Sequence, residues 1–414
     1  IHASLEVLNV APAPVVIPTY AFAFLAPLCH FLHRANYPPA FTLYLAGGTG
    51  TRKTTLAALV LAHFGAEWNN KRLPANFNDT SNALMQKAFL CKDAPLLVDD
   101  FRPSATQKER RNLDEKAQRL ATGWGDYAAR SRLRADSSMD ATKPPRGIGM
   151  ITGEDAPNIT ESGTARFYVV QVGRRDIPVS QSLQQAQAAG REGLLAEAMR
   201  AYIEWLAGRN SQDLIAVLGD AFTQYRDEAN RELTGAHGRS AEAIAHLWLA
   251  LRSALDCFRS YGAIEEAEGE RLWSLGRQAI LDNARVQQDE MQHEKPTRMF
   301  LEAVFEMVSS GKAYLHPLKS SYPPNFRAPA IMLGYYDETF IYFIPGVVYG
   351  ALCGHFQGQG GAAFPLSKTT IFKRLGEEGY LHTRPEEGST SVKHVPYKGK
   401  SERLLTIKRA ALSI

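Results

Sequence analysis

Apolar residues follow two different rhythms along this chain. Between residues 41 and 172 they come as short continuous runs closed by glycine, acid or a polar turn: FTLYLAG at 41–47, PLLVDDF at 95–101, GIGMITG at 147–153 and RFYVVQV at 166–172. Runs of that length, apolar at successive positions, predict strands buried on both faces of a parallel sheet, with the helical stretches between them covering it. Beyond Asp176-Ile177-Pro178 the rhythm changes. Residues 180–293 repeat apolar positions every three or four residues, as in LLAEAMRAYIEWLA and SAEAIAHLWLALRSALDCF, which predicts helices that each bury one face. Lys295-Pro296 marks a boundary. After it come a helix (TRMFLEAVFEMVSS), short strands around AYLHPL and DETFIYFIP, two helices, and a glycine-containing hairpin ending in RLLTIKRAAL.

The pattern predicts an α/β protein in four parts: an N-terminal helical segment over 1–40, a parallel-sheet core over 41–176, a helical lid over 177–296 and a C-terminal domain over 297–414. A length of 414 residues suits two or three cores rather than one. The apolar stretch VVIPTYAFAFLAPLCHFLHRA is interrupted by Pro18 and Pro27 and has no basic leader. It is therefore expected to pack on the core, not to span a membrane or serve as a signal. The start at Ile1 suggests that upstream sequence is missing.

Charge adds a location rather than a class. Residues 297–414 hold 14 Lys+Arg against 9 Asp+Glu, more than the whole-chain surplus of +4, so the basic bias lies at the C-terminal end. Cys29, Cys91, Cys257 and Cys353 stand far apart with no CxxC pair, which indicates neither a zinc site nor a disulfide framework and fits a reducing cytoplasm.

The candidate chemistry begins where the first strand-like run ends. Gly47-Gly48-Thr49-Gly50-Thr51-Arg52-Lys53-Thr54 matches the phosphate-binding spacing G-x-x-x-x-G-K-[ST] except that Arg52 replaces the second glycine, and a helix follows from Thr54 through Thr55 to Phe64. A strand, loop and helix in that order aim backbone amides and one lysine at a triphosphate, so ATP is the expected ligand. Lys53 reaches the terminal phosphates and Thr54 holds Mg2+. The run PLLVDDF supplies a second signal: Asp99 at its end suits the hydrated magnesium, and Asp100 suits polarisation of the attacking water. GIGMITGED ends in Thr152, Glu154 and Asp155, polar groups of which such a sheet would bring one beside the terminal phosphate.

These motifs resemble the ATPase core of the minichromosome maintenance helicases of the AAA+ class. GGTGTRKT parallels that family's GDPGTAKS, which also lacks glycine before lysine, and VDDF parallels IDEF. ARSRLRADSSMDATKPPRGIGMITGED has the layout of its hairpin before the sensor strand, and Ala165-Arg166-Phe167 is similar to its Ser-Arg-Phe arginine-finger signature. GTRKS-type loops also occur in helicase-like proteins of plasmids, phages and chromosomal cassettes. The resemblance covers residues 41–172 best. It implies an ATP-hydrolysing hexameric ring that moves on single- or double-stranded DNA during replication of a mobile element. By that resemblance Asp100 stands where the family has glutamate, Glu154 aligns with a sensor asparagine with Thr152 beside it, Arg166 acts on a neighbouring subunit's nucleotide, and Arg239 is the second sensor arginine.

Two segments suit nucleic acid. RSRLRAD places Arg130, Arg132 and Arg134 at alternate positions, on one face of a hairpin strand, and with Lys143 and Arg146 outweighs Asp136 and Asp140. Arg132 and Arg134 are the expected contacts to DNA. Near the C-terminus, Ser367 is placed to cap a helix whose Ile371, Phe372 and Leu375 face inward, leaving Lys368, Lys373 and Arg374 for phosphates, in the manner of a winged helix. Two other readings stand beside the motor. One is an ATP-regulated DNA-binding switch without translocation; the other is a small-molecule P-loop kinase, for which the paired Asp99-Asp100 and long lid have no obvious purpose.

Overall fold

The computed structural model describes residues 1–102, 106–127, 143–155, 157, 165–233, 238–293, 295–319, 330–358, 364–382, 392–394, 402–409 and 412. Arg130, Arg132, Arg134, Asp136 and Asp140 lie outside the described residues. The chain divides into two compact units, Ile1–Gln288 and Asp289–Ile414.

In the first unit, β1 (Thr42–Ala46), β2 (Ala75–Asn76), β3 (Lys92–Phe101), β4 (Arg146–Gly153) and β5 (Phe167–Gln171) form a parallel sheet in the order β2-β3-β4-β1-β5. Each apolar run is a strand because each is buried on both faces. Leu43 and Leu45 join one core cluster, whereas Tyr44 and Ala46 join another on the opposite face. Only β2 escapes the hydrophobic pattern, being two residues long.

The described helices before the sheet's end are α1 (His2–Leu5), α2 (Ala13–Leu25), α3 (Cys29–Arg34), α4 (Lys53–Ala62), α5 (Ser81–Leu90) and α6 (Gln107–Asp126). The next five are α7 (Gln181–Arg191), α8 (Leu194–Ala207), α9 (Ser211–Glu232), α10 (Gly238–Ser260) and α11 (Glu266–His293). Leu84 of α5 and Leu120 and Trp124 of α6 cover one face of the sheet. The other face meets α4, α2 and the helices from 181 onward in a single cluster, so the N-terminal segment, the sheet and the helical region share one core.

Pro18 does not break its helix. Proline lacks the N–H that a helix interior needs, and α2 nonetheless runs through it, because Asn283 of α11 donates its side-chain amide to the Pro14 carbonyl that Pro18 leaves without a partner. This segment continues to Arg34 as a stretch apolar enough to cross a membrane, yet 83% of its most apolar window is buried inside the unit. Helix α11 also finishes the sheet. β5 is an edge strand, and the Gln287 amide acts as a substitute neighbour, accepting from Val169 N at 3.0 Å and donating to Phe167 O at 2.8 Å.

The second unit contains α12 (Pro296–Ser309), β6 (Ala313–Pro317), β7 (Ile331–Tyr336), β8 (Phe340–Phe343), α13 (Pro345–Gly358), α14 (Lys368–Glu377), β9 (Val392–His394) and β10 (Glu402–Lys408). Its strands make one sheet, β6-β7-β8-β10-β9, because β10 pairs with β8 through Leu405 and Phe343 instead of standing as a separate hairpin. Phe300, Leu333, Phe343, Leu352, Ile371, Phe372, Leu375 and Leu405 fill its core. All four cysteines are free thiols.

Candidate active site

The site is assembled at the C-terminal ends of three neighbouring strands. β4 lies between β1, which feeds the glycine-rich loop, and β3, which carries the acids, so residues distant in sequence arrive on one rim. Gly47 turns away from β1 against the chain leaving β5: an added Cβ would lie 2.3 Å from Val172 O. Gly50 has φ +84°, which an L side chain rarely adopts, and an added Cβ at Gly48 or Gly50 would meet nothing within 4 Å. Open space along the loop is what a phosphate chain requires. Thr51 Oγ1 is buried under the turn beside Gly47, with no hydrogen-bond partner among the described residues.

Lys53 and Thr54 open α4 at the far side of this loop. Thr54 Oγ1 donates to Asp99 Oδ1 at 2.9 Å, which joins the two groups expected to hold Mg2+. Burial lowers the Lys53 ammonium pKa, while the carboxylates of Glu154, Asp99 and Asp100 pull in the opposite direction. These donors fit a triphosphate with magnesium: Gly47, Gly48, Thr49, Gly50, Thr51, Arg52, Lys53, Thr54 and Thr55 form the strand-to-helix turn, with a carboxylate beside its hydroxyl.

The acid pair owes its posture to a bulge. Pairing shifts from Val98↔Ile151 to Phe101↔Gly153, so β3 has one residue more than β4 across this interval, and Asp100 takes φ 70°. In a regular strand Asp99 and Asp100 would point to opposite faces; the bulge re-aims them. Thr152 brackets them. Its hydroxyl, fully buried, donates to Asp99 Oδ1 at 2.5 Å and accepts from Asp100 N at 3.2 Å. Glu154 accepts a hydrogen bond from the Thr49 hydroxyl, joining the end of β4 to the loop.

Arg102 is a member of this cluster that the motifs did not reveal. Its Nε donates to Asp100 Oδ1 at 2.5 Å and lies 3.8 Å from Glu154 Oε1. An ion pair so exposed contributes little to stability, but it fixes where the Asp100 carboxylate points. Its only sequence signal was adjacency to the VDDF run.

Arg166 and Arg239 lie elsewhere. The Arg166 carbonyl accepts from Thr42 N at 2.8 Å, which puts Arg166 at the start of β1. At about 3.3 Å per residue, the length of β1 separates it from the glycine-rich loop by on the order of 13 Å or more. Its guanidinium donates to Asp126 at 2.8 and 3.1 Å, and Arg239 Nη2 reaches the same carboxylate at 3.3 Å. Asp126 thus gathers two guanidiniums at the sheet end remote from Lys53.

The expected DNA contacts divide. Lys368 and Lys373 are exposed on α14 and Arg374 is half-buried; Lys373 lies 3.6 Å from Glu377, and Ser367 accepts from Thr370 N as the cap. Arg146, counted with the basic hairpin, has a structural task instead. It opens β4, donates to Phe89 O at 2.6 Å and lies 4.1 Å from the Phe89 ring centroid.

No family model and no curated protein matches the chain. Among solved structures, "SCCmec type IV Cch - active helicase" is similar in fold over 100% of this chain and 72% of that one, at a TM-score of 0.62 and 12% identity. More remote are the NrS-1 C-terminal region (TM-score 0.30, 10% identity, 96% of this chain and 75% of that one) and the JCV helicase (0.27, 14%, 60% and 65%).

Proposed function

We propose that this chain is an ATP-hydrolysing motor of the AAA+ class that works as a hexameric ring, translocates on DNA and unwinds it during replication of a mobile element. The observation that carries this reading is the meeting of Lys53, Thr54, Asp99, Asp100, Thr152 and Glu154 at adjacent strand ends, with the Arg166–Arg239 pair at the opposite end of the same sheet. The first set suits hydrolysis. The second is too distant to serve its own nucleotide and suits a neighbour's, which calls for a ring. The fold shared with a protein described as an active helicase supports the same reading.

In this mechanism the loop amides and Lys53 bind the phosphates, while Thr54 and Asp99 would hold Mg2+, whose chemistry is to neutralise phosphate charge. Asp100 orients water and takes up its proton, with Arg102 holding its carboxylate and Thr152 its backbone amide. The second unit, read as a winged helix, offers Lys368, Lys373 and Arg374 to DNA phosphates. Asp100→Asn is expected to leave ATP affinity within about threefold while slowing hydrolysis by ~10² or more, since it removes the base and keeps the metal ligand. Equal loss of binding and turnover would instead make Asp100 a metal ligand.

Single-stranded DNA is the direct test of the motor. It should raise ATP turnover several-fold, and Arg132→Ala with Arg134→Ala should suppress that rise and unwinding while sparing basal hydrolysis. Each lost phosphate contact should also reduce the log–log salt slope of strand binding by ~0.7. Turnover indifferent to DNA would favour the ATP-regulated binding switch.

A further inference from the structure

The phosphate loop is joined to the crossing that leads from the sheet into the helical region, and a residue that departs from the motif makes the closest side-chain link. Arg52 has φ 64° and ψ 20°, the left-handed conformation that glycine adopts without a Cβ clash. Its Nη1 donates to the carbonyl of Ile177 at 2.7 Å, 125 residues away. Ile177 is a firm anchor because it is fully buried in the main core.

Two further contacts bind the same crossing to the same loop. Val172 N donates to Ala46 O at 2.7 Å, and Gly47 lies so close to Val172 O that no side chain fits there. The crossing itself is short and internally braced. Gly173 N donates to Asp176 Oδ2 at 2.7 Å, and Ser180 caps α7 only three residues after Ile177. A change in the loop's shape is therefore passed to the start of α7 with little slack.

We infer that Arg52 is a positioning residue that holds the phosphate loop in its receiving shape and couples nucleotide binding to the helical region through Ile177. It gives up the conformational ease of glycine and gains a tether. This rests on the nucleotide reading above, but its first test requires no nucleotide.

Three variants separate the parts. Arg52→Gly suits the left-handed backbone and removes the tether; Arg52→Ala removes the tether and keeps the backbone cost; Arg52→Lys retains a long cationic donor. Hydrogen exchange in the nucleotide-free chain is expected to quicken about tenfold at residues 48–54 and 177–181 in Arg52→Gly, although its melting temperature stays at or above that of the unaltered chain. Affinity for the magnesium complex of a nonhydrolysable ATP analogue should fall about five- to twentyfold in Arg52→Gly, further in Arg52→Ala, and least in Arg52→Lys. In the unaltered chain the analogue should also slow exchange at 177–183, and that response should be lost in Arg52→Gly.

Unchanged exchange and affinity in Arg52→Gly would overturn the inference. So would a lower melting temperature with the nucleotide response at 177–183 intact, which would make the bond a local brace. If the unaltered chain binds no analogue, the nucleotide reading fails, while loop exchange measured without nucleotide still decides the tether.

Discussion

Lys53→Ala is expected to reduce ATP turnover by at least about 10²- to 10³-fold, to the level of background, without lowering the melting temperature. The reason lies in where the lysine sits. It is half-buried at the first position of α4, outside the apolar clusters, so truncation leaves no core cavity. Burial already lowers its pKa, and three carboxylates around it offset that only in part. Without it Glu154, Asp99 and Asp100 would face the phosphates with Arg102 paired only to Asp100 and Glu154, so electrostatic repulsion adds to the lost contact. Analogue binding should therefore weaken together with turnover. Retained turnover at saturating ATP would remove the phosphate-loop assignment, and a large fall in melting temperature would show Lys53 to be structural.

Local chemistry explains which parts of this site could be seen in the sequence. The runs ending at Ala46, Asp100 and Gly153 announce themselves because continuous burial and the polar residues that stop it are both written within a few positions. Glycine spacing likewise announces the loop. Features that depend on distant partners have no such mark. Pro18 looks like a helix breaker until Asn283 supplies the missing donor, and Arg52 looks like a damaged motif until Ile177 receives its guanidinium. The bulge at Asp99–Asp100 follows from how β3 meets β4, a pairing set by the whole sheet. Arg239 is marked in the sequence only by the family resemblance, and its place beside Arg166 depends on Asp126, 113 residues earlier.

Arg166→Ala should leave analogue binding within about twofold, because the guanidinium is remote from its own loop, and should slow hydrolysis by ~10³- to 10⁵-fold, the range for an arginine supplied in trans. The Asp126 carboxylate explains the geometry of this expectation. It holds Arg166 and Arg239 together at one sheet end, where a ring would present both to the next subunit's phosphates. Complementation then follows from the topology of a head-to-tail interface, in which each composite site takes its loop from one subunit and its arginine from the next. Arg166→Ala subunits keep intact loops, and Lys53→Ala subunits keep intact arginines, so neither variant alone forms a working site. Mixed in equal amounts, they should restore a complete site at roughly one interface in four, with a matching fraction of turnover where sites act independently. The assay is ATP hydrolysis against mixing ratio, with mixed rings verified by native mass spectrometry. Full activity of Arg166→Ala alone, or no recovery in verified mixed rings, would place the arginine outside any shared site and return Asp126 to the role of a local brace.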